Sequence, residues 1–161
     1  MYARTEGSSF GSTPAASGEF EDTKTTKSVP LDVAEASFVM LVALSEAGNR
    51  GPWSSAAEVS LAGEAVTATP PPPPPPISGT LLSQADWTVT ADSQESLNTA
   101  ARAIDGDADT FWHTQYKTVK PPHPHRLTID LGGSFSLSEL RYTPRQTTGS
   151  NGNIGRCVLL R

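Results

Sequence analysis

Seven consecutive prolines, Pro70 to Pro76, are the strongest constraint in this chain of 161 residues. Each ring fixes φ and removes an amide donor, so neither a helix nor a central strand runs through them. The run reads as an extended polyproline II rod, rising about 3.1 Å per residue. A rod of this kind serves either as a ligand for an aromatic-lined groove or as a semi-rigid spacer. Its place between two patterned halves favours the spacer. The chain then divides into residues 1–28, a disordered segment or the remnant of a fold, and 29–66, a first β unit. Residues 67–80 form a proline-rich linker, and 81–161 a second β unit.

Composition agrees with short strands and many turns. With 13 Gly, 14 Pro and only 18% charged residues, the chain is neither a coiled coil nor a helical bundle. Its longest clean apolar run, Phe38 to Leu44, is seven residues, against about 20 for a membrane-spanning helix. No membrane insertion is expected. The net charge of -5 arises in residues 1–69, which hold four Lys/Arg against nine Asp/Glu, whereas 77–161 balance at eight each. Without a basic surplus, nucleic acid is not an expected partner. Cys157 is the sole cysteine, which excludes an internal disulfide. The first 25 residues lack the apolar core of a signal peptide. The chain therefore reads either as intracellular or as a piece of something longer.

In residues 29–66, Phe38, Met40, Val42 and Leu44 alternate with Val39, Leu41 and Ala43. A strand apolar on both faces is central in a sandwich. The turn signal Glu46-Ala-Gly-Asn-Arg-Gly51-Pro52 follows, then a second strand from Ala57 to Leu61. Leu31, Phe38, Ala43-Leu-Ser-Glu-Ala-Gly48 and Gly51-Pro-Trp-Ser54 resemble the last third of a fibronectin type III domain. Phe38 stands where that family places its corner tyrosine, so the hydroxyl bond of a tyrosine corner is unavailable there. Such a half domain implies exposed sheet edges.

Residues 81–161 are β-patterned throughout, in Trp87-Thr-Val-Thr90, Leu127-Thr-Ile-Asp-Leu131 and Leu137 to Tyr142. The stretch Ser96 to Ile104 reads as one helical turn or a loop packing Ala103 and Ile104 inward. Three constellations stand out. Asp105, Asp107 and Asp109 alternate within Ala103-Ile-Asp-Gly-Asp-Ala-Asp-Thr-Phe-Trp-His113. This is either a hard-cation loop, Ca²⁺ more than Mg²⁺, or a solvated acidic turn. It is not an EF-hand, because Thr110 and Tyr116 stand where glycine and a bidentate glutamate are needed. Leu127 to Gly133 is an amphipathic strand ending in a glycine turn. Tyr142-Thr-Pro-Arg145, followed by Gly149-Ser-Asn-Gly-Asn153, offers a planar donor group beside an Asn/Gly-rich loop.

Taken in order, Trp87, Ala103-Ile-Asp-Gly-Asp-x-x-Thr-x-Trp-His113, Pro124-His-x-Leu-x-Ile-Asp-Leu-Gly132 and Tyr142-x-Pro-Arg resemble a discoidin-like domain. This is the coagulation factor V/VIII type C superfamily, in its carbohydrate-binding branch. The resemblance implies an all-β fold: an incomplete jelly-roll β-sandwich of the galactose-binding-like type, preceded by a partial immunoglobulin-like sandwich fragment. It implies a sugar site at His113, Arg145 and Asn151, with Tyr116 as a substitute for an aromatic that the family carries further along. It also implies a structural Ca²⁺ at Asp105, Asp107 and Thr110.

The function implied is non-catalytic binding of glycans with terminal galactose-like sugars. The module is expected as a monomeric, truncated part of a multimodular extracellular or cell-surface protein, as an accessory to a glycoside hydrolase. Its alternatives are cell-surface attachment by the same fold, or a missing region that is itself a glycosidase. Catalysis within the chain is not expected, because its dense carboxylates sit on one turn rather than facing each other across a cleft. Arg145 has a plainer reading as a partner of Glu139 or Asp130, and His113 as a strand cap. His123 and His125 suggest zinc but lack further Cys or His partners.

Overall fold

The computed structural model describes residues 10–11, 13–66 and 79–161, so the proline run and its rod reading lie outside the described residues. Among the described residues nine strands follow in order: β1 (Ala16–Glu19), β2 (Lys27–Glu46), β3 (Ser55–Ala56), β4 (Glu58–Ala65), β5 (Thr80–Leu81), β6 (Thr88–Ala91), β7 (Trp112–His113), β8 (His125–Thr143) and β9 (Ile154–Leu160). One 3-10 turn, Ala100–Ala103, buries Ala100 and Ala103. Seven strands form one antiparallel sheet in the order β1-β9-β2-β8-β4-β5, with β6 also on β8; β3 and β7 form a separate ribbon. The fold is all-β and antiparallel, as the strand patterning requires.

The 20-residue β2 organises the sheet. Leu41 pairs with Leu127 on one side and Leu159 on the other, and Ala43 with His125 and Cys157. Its buried positions are Val29, Leu31 and Val33, then Ala36, then Val39, Leu41 and Ala43. Register shifts against β8 fall between Val33 and Ala36 and between Ala36 and Phe38. An extra residue at a bulge reverses which parity faces inward, and these shifts keep the apolar set of a long strand on the core side.

Four readings differ from this architecture. The division into 29–66 and 81–161 is not a division of the sheet, because β2 and β4 both pair with β8. Strands on either side of the proline run are neighbours, with Ala62 opposite Leu81. The edges that a half sandwich would leave open are covered: a strand apolar on both faces hydrogen-bonds on both sides, and one core cluster takes residues from Val29 to Leu159. Within residues 1–28, read as disordered or a remnant, Ala16–Glu19 pairs with β9. Its neighbour Phe20 stacks on Tyr142 at 5.6 Å. Gly132 and Gly133 do not end a strand, since β8 continues through them. Gly132 takes φ +71, its N–H bonds Asp130 Oδ1, and an added Cβ would meet the Asp86 carbonyl at 2.8 Å. Only glycine suits that approach.

The hydroxyl-to-backbone tie missing at Phe38 appears elsewhere. Tyr142 is fully buried; its hydroxyl donates to the Ser55 carbonyl at 3.0 Å and accepts the Ile154 N–H at 2.9 Å. It links β8, β3 and β9. Replacing it with Phe leaves both backbone groups unpaired in the core. We expect Tyr142→Phe to lower the unfolding free energy by about 1–3 kcal/mol, read from urea denaturation. A change below a few tenths would contradict this role.

Candidate functional site

The residues singled out from the sequence gather around one imidazole. His113 ends β7, which pairs with β3 so that Ser55 lies opposite His113 and Ala56 opposite Trp112. Ser55 also receives the Asn151–Asn153 loop: its N–H donates to the Gly152 carbonyl at 2.6 Å and its hydroxyl to the Asn151 carbonyl at 3.3 Å. Gly152 permits this with φ +86, and a Cβ there would sit 3.0 Å from the Ser54 and Ser55 backbone. The short β3 thus holds the His113 strand on one side and the Asn151 loop on the other.

His113 is 3% exposed. Its Nδ1–H donates to the Thr114 carbonyl at 2.7 Å, and the ring also hydrogen-bonds the backbone of Asn151. The Tyr116 ring meets it edge-on at 5.0 Å, and Phe111 lies at 6.3 Å. Burial, the largest effect, pulls the His113 pKa below its ordinary value, and the nearby Arg145 charge adds to this. The ring is therefore neutral at pH 7. Arg145 lies over Phe111, its Cζ 4.4 Å from the ring centroid. Its Nε–H donates to Thr147 Oγ1 at 2.8 Å and Nη2 to the Thr148 carbonyl at 2.9 Å. Nη1 has no hydrogen-bond partner among the described residues.

His113, Arg145, Asn151 and Tyr116 are thus brought to one rim, but not in equal roles. His113 is buried rather than open to a ligand: the core side of the β3–β7 ribbon takes it in, and backbone groups occupy its ring. It acts as a post for Tyr116 and the Asn151 loop. The groups open to solvent are the Tyr116 ring, 36% exposed, the Asn151 side chain and the half-buried Arg145. Arg145 does not pair with Glu139, which binds Arg141 at 3.0 Å instead.

Two participants were not singled out from sequence. Phe111 supports the guanidinium, and its position two residues before His113 in an extended segment, on the same face, was the available signal. Glu95, 8% exposed, accepts the Tyr116 and Lys117 N–H groups on Oε2 at 3.2 and 3.3 Å. The Tyr116 bond is the main reason its carboxyl is held below the usual carboxylate range. Nothing in the local pattern around Glu95 marks it, because the contact spans 21 residues.

The acidic loop is self-contained. Asp105 Oδ1 accepts the Asp107 N–H at 3.0 Å, Asp107 Oδ1 the Asp109 N–H at 2.9 Å, and Thr110 Oγ1 donates to Asp105 Oδ2 at 2.7 Å. No three acidic, histidine or cysteine side chains converge in a metal-holding group among the described residues. The calcium expectation on Asp105, Asp107 and Thr110 finds no assembled ligand set, because the side chains serve the turn itself. His123 and His125, 4.9 Å apart, bond Ser54 Oγ and the Pro52 carbonyl respectively.

Beside this loop Glu58 is half-buried, with Oε1 accepting the Gly106 N–H at 3.2 Å. Burial pushes its pKa up to about 7, with Asp105 adding to the rise.

Residues 88–159 match the F5/8 type C domain family. A galactose oxidase from Gibberella zeae is 44% identical over 79 residues, which is 48% of this chain and 12% of that protein. A sialidase from Micromonospora viridifaciens is 41% identical over 75 residues, 44% of this chain and 12% of that protein. Residues 88–159 are thus similar to the F5/8 type C, discoidin-like family and to parts of these two proteins. The chain spans about 12% of the length of the relatives it matches. The fibronectin type III resemblance of residues 29–66 gains no support from these matches. No helix among the described residues is long and apolar enough to cross a membrane.

The raised Glu58 pKa has a defined sign. Unfolded, the carboxyl ionises near 4.5; folded, it holds its proton to about 7. Stability from this group is complete below pH 4.5 and is lost as pH rises through 7. We expect Glu58→Gln to raise the urea midpoint at pH 8 relative to wild type and to leave it nearly unchanged at pH 4. A variant less stable at pH 8 would overturn this.

Proposed function

We propose that the chain is a non-catalytic carbohydrate-binding module for galactose-type glycans, acting as an accessory part of a multimodular extracellular protein. One observation carries the reading: Arg145, held over Phe111 with Nη1 open, shares a rim with the Tyr116 ring and the Asn151 amide. A neutral hexose offers adjacent hydroxyls that donate and accept, and C–H faces that lie on aromatic rings. Fixed guanidinium and amide groups read the hydroxyls; the tyrosine ring takes the C–H side. The homologous regions belong to proteins named galactose oxidase and sialidase, which supports a sugar ligand. Glu95, the carboxylate behind the rim, has its oxygens on backbone N–H groups, which suits binding rather than glycosidase chemistry. Weak single-site affinity is sufficient where tethering supplies a high local concentration.

A second reading, attachment to a cell or lipid surface, draws on Leu97 and Val119, 67% and 51% exposed outside the strands. It predicts binding to vesicles that galactose does not compete.

Titration of the labelled protein with methyl galactosides, followed by amide NMR, tests the sugar reading. Shifts should centre on Tyr116, Arg145 and Asn151. Arg145→Ala should weaken binding about 10–100-fold, the worth of one charged hydrogen-bonding group. Absence of shifts at those three residues, with shifts elsewhere, would refute the site.

A further inference from the structure

Residues 20–26 and Arg50 lie outside the stretch that matches the F5/8 type C family, yet they bind directly to both loops that carry the open polar groups. Lys24 Nζ donates to the Gln146 and Thr147 carbonyls at 3.2 and 2.9 Å, and Gln146 Nε2 returns a bond to the Lys24 carbonyl at 2.9 Å. This reciprocal pair grips the turn immediately after Arg145. The Thr148 carbonyl and Thr147 hydroxyl of that turn are what the guanidinium itself leans on. Asp22 accepts Arg50 on both carboxylate oxygens, at 2.6 and 2.8 Å, and Asn153 Nδ2 at 3.2 Å. Arg50 Nη2 also donates to the Ser150 carbonyl at 2.8 Å, next to Asn151.

The grip is anchored at the other end. Glu46, the last residue of β2 and 7% exposed, accepts the Arg50 N–H at 2.7 Å and Nε–H at 2.8 Å. A chain of charge-assisted bonds thus runs from the central strand through Arg50 to Asp22 and to the Asn151 loop. A bidentate arginine–carboxylate pair fixes geometry as well as distance. Ser55 and His113 already hold the Asn151 loop from the other side, and surface loops sit at the low-stability end of a fold, where added ties count most.

We propose that the Asp22–Lys24 segment and Arg50 form a clasp that positions the Arg145 and Asn151 loops for ligand. The clasp rests on the sugar-binding reading for its ligand, but not for its mechanics. Asp22, Lys24 and Arg50 are positioning residues: they act through the loop backbones and touch no sugar. Pre-organising the two loops removes an ordering cost from the binding step, so loss of the clasp appears in affinity.

The test uses the whole chain with Lys24→Ala, Lys24→Arg and Asp22→Asn, by amide hydrogen exchange and methyl galactoside titration. Lys24 and Asp22 are exposed, so the melting temperature should barely move. Lys24→Ala and Asp22→Asn should speed exchange at Thr147, Thr148 and Asn151 and weaken galactoside binding about threefold to tenfold. Lys24→Arg should restore both. Unchanged exchange in the alanine variant overturns the clasp. So does altered exchange with wild-type affinity. If the wild-type chain binds no galactoside, the sugar reading fails and the exchange data alone decide the clasp.

Discussion

The structure depends on β2 being hydrogen-bonded along both edges. Between Met40 and Ala43 each residue faces one partner on β8 and another on β9. A strand in that position has its backbone groups paired on both sides, and its Val39, Leu41 and Ala43 side chains enter the core. It also explains why chain segments remote in sequence fold as one body. β8 presents its other edge to β6 along Leu127–Asp130 and to β4 along Phe135–Thr143. Removing β2 would leave β8 and β9 with no common neighbour and the core without a third of its aliphatic side chains.

The candidate site follows from that arrangement. β3 leaves the end of the region joined to β2 and takes His113 on one side and the Asn151 loop on the other. A buried neutral imidazole fills the space between them. The consequence is a division of labour in which the histidine supports and the arginine, asparagine and tyrosine remain open. Polar side chains that must meet a ligand need such support, because a guanidinium free to sample its rotamers loses entropy on every binding event. Here Phe111 below and the Thr147 hydroxyl and Thr148 carbonyl beside it have already restricted Arg145.

The sequence carried much of this in local pattern and little of it in long-range pairing. Alternation in Phe38–Leu44 and Leu127–Leu131 marked strands that are indeed central, because a buried strand must be apolar over a run visible in five to seven residues. The ordered motifs around His113, Arg145 and Asn151 marked residues that do converge. What the motifs could not carry was burial: His113 looks the same in a sequence whether its ring meets solvent or the Thr114 carbonyl. The proline run drew a boundary that the sheet ignores, since strand pairing is decided by surfaces far apart along the chain. Ala16–Glu19, poor in apolar residues, becomes a strand only because the edge of β9 is there to receive it. The three aspartates satisfied the composition of a cation loop, yet their geometry is that of successive side-chain-to-backbone turns.

Native-state amide exchange across the whole chain tests the central claim most directly. If β2 is the shared middle strand, the amides of Val39 to Ala43 should be among the slowest to exchange. They should open together with those of Leu127 to Ile129 and Cys157 to Leu159 as denaturant is added. Rapid exchange throughout Lys27–Glu46, with protection confined to β8 and β9, would show that the two regions do not share a sheet and would contradict the account.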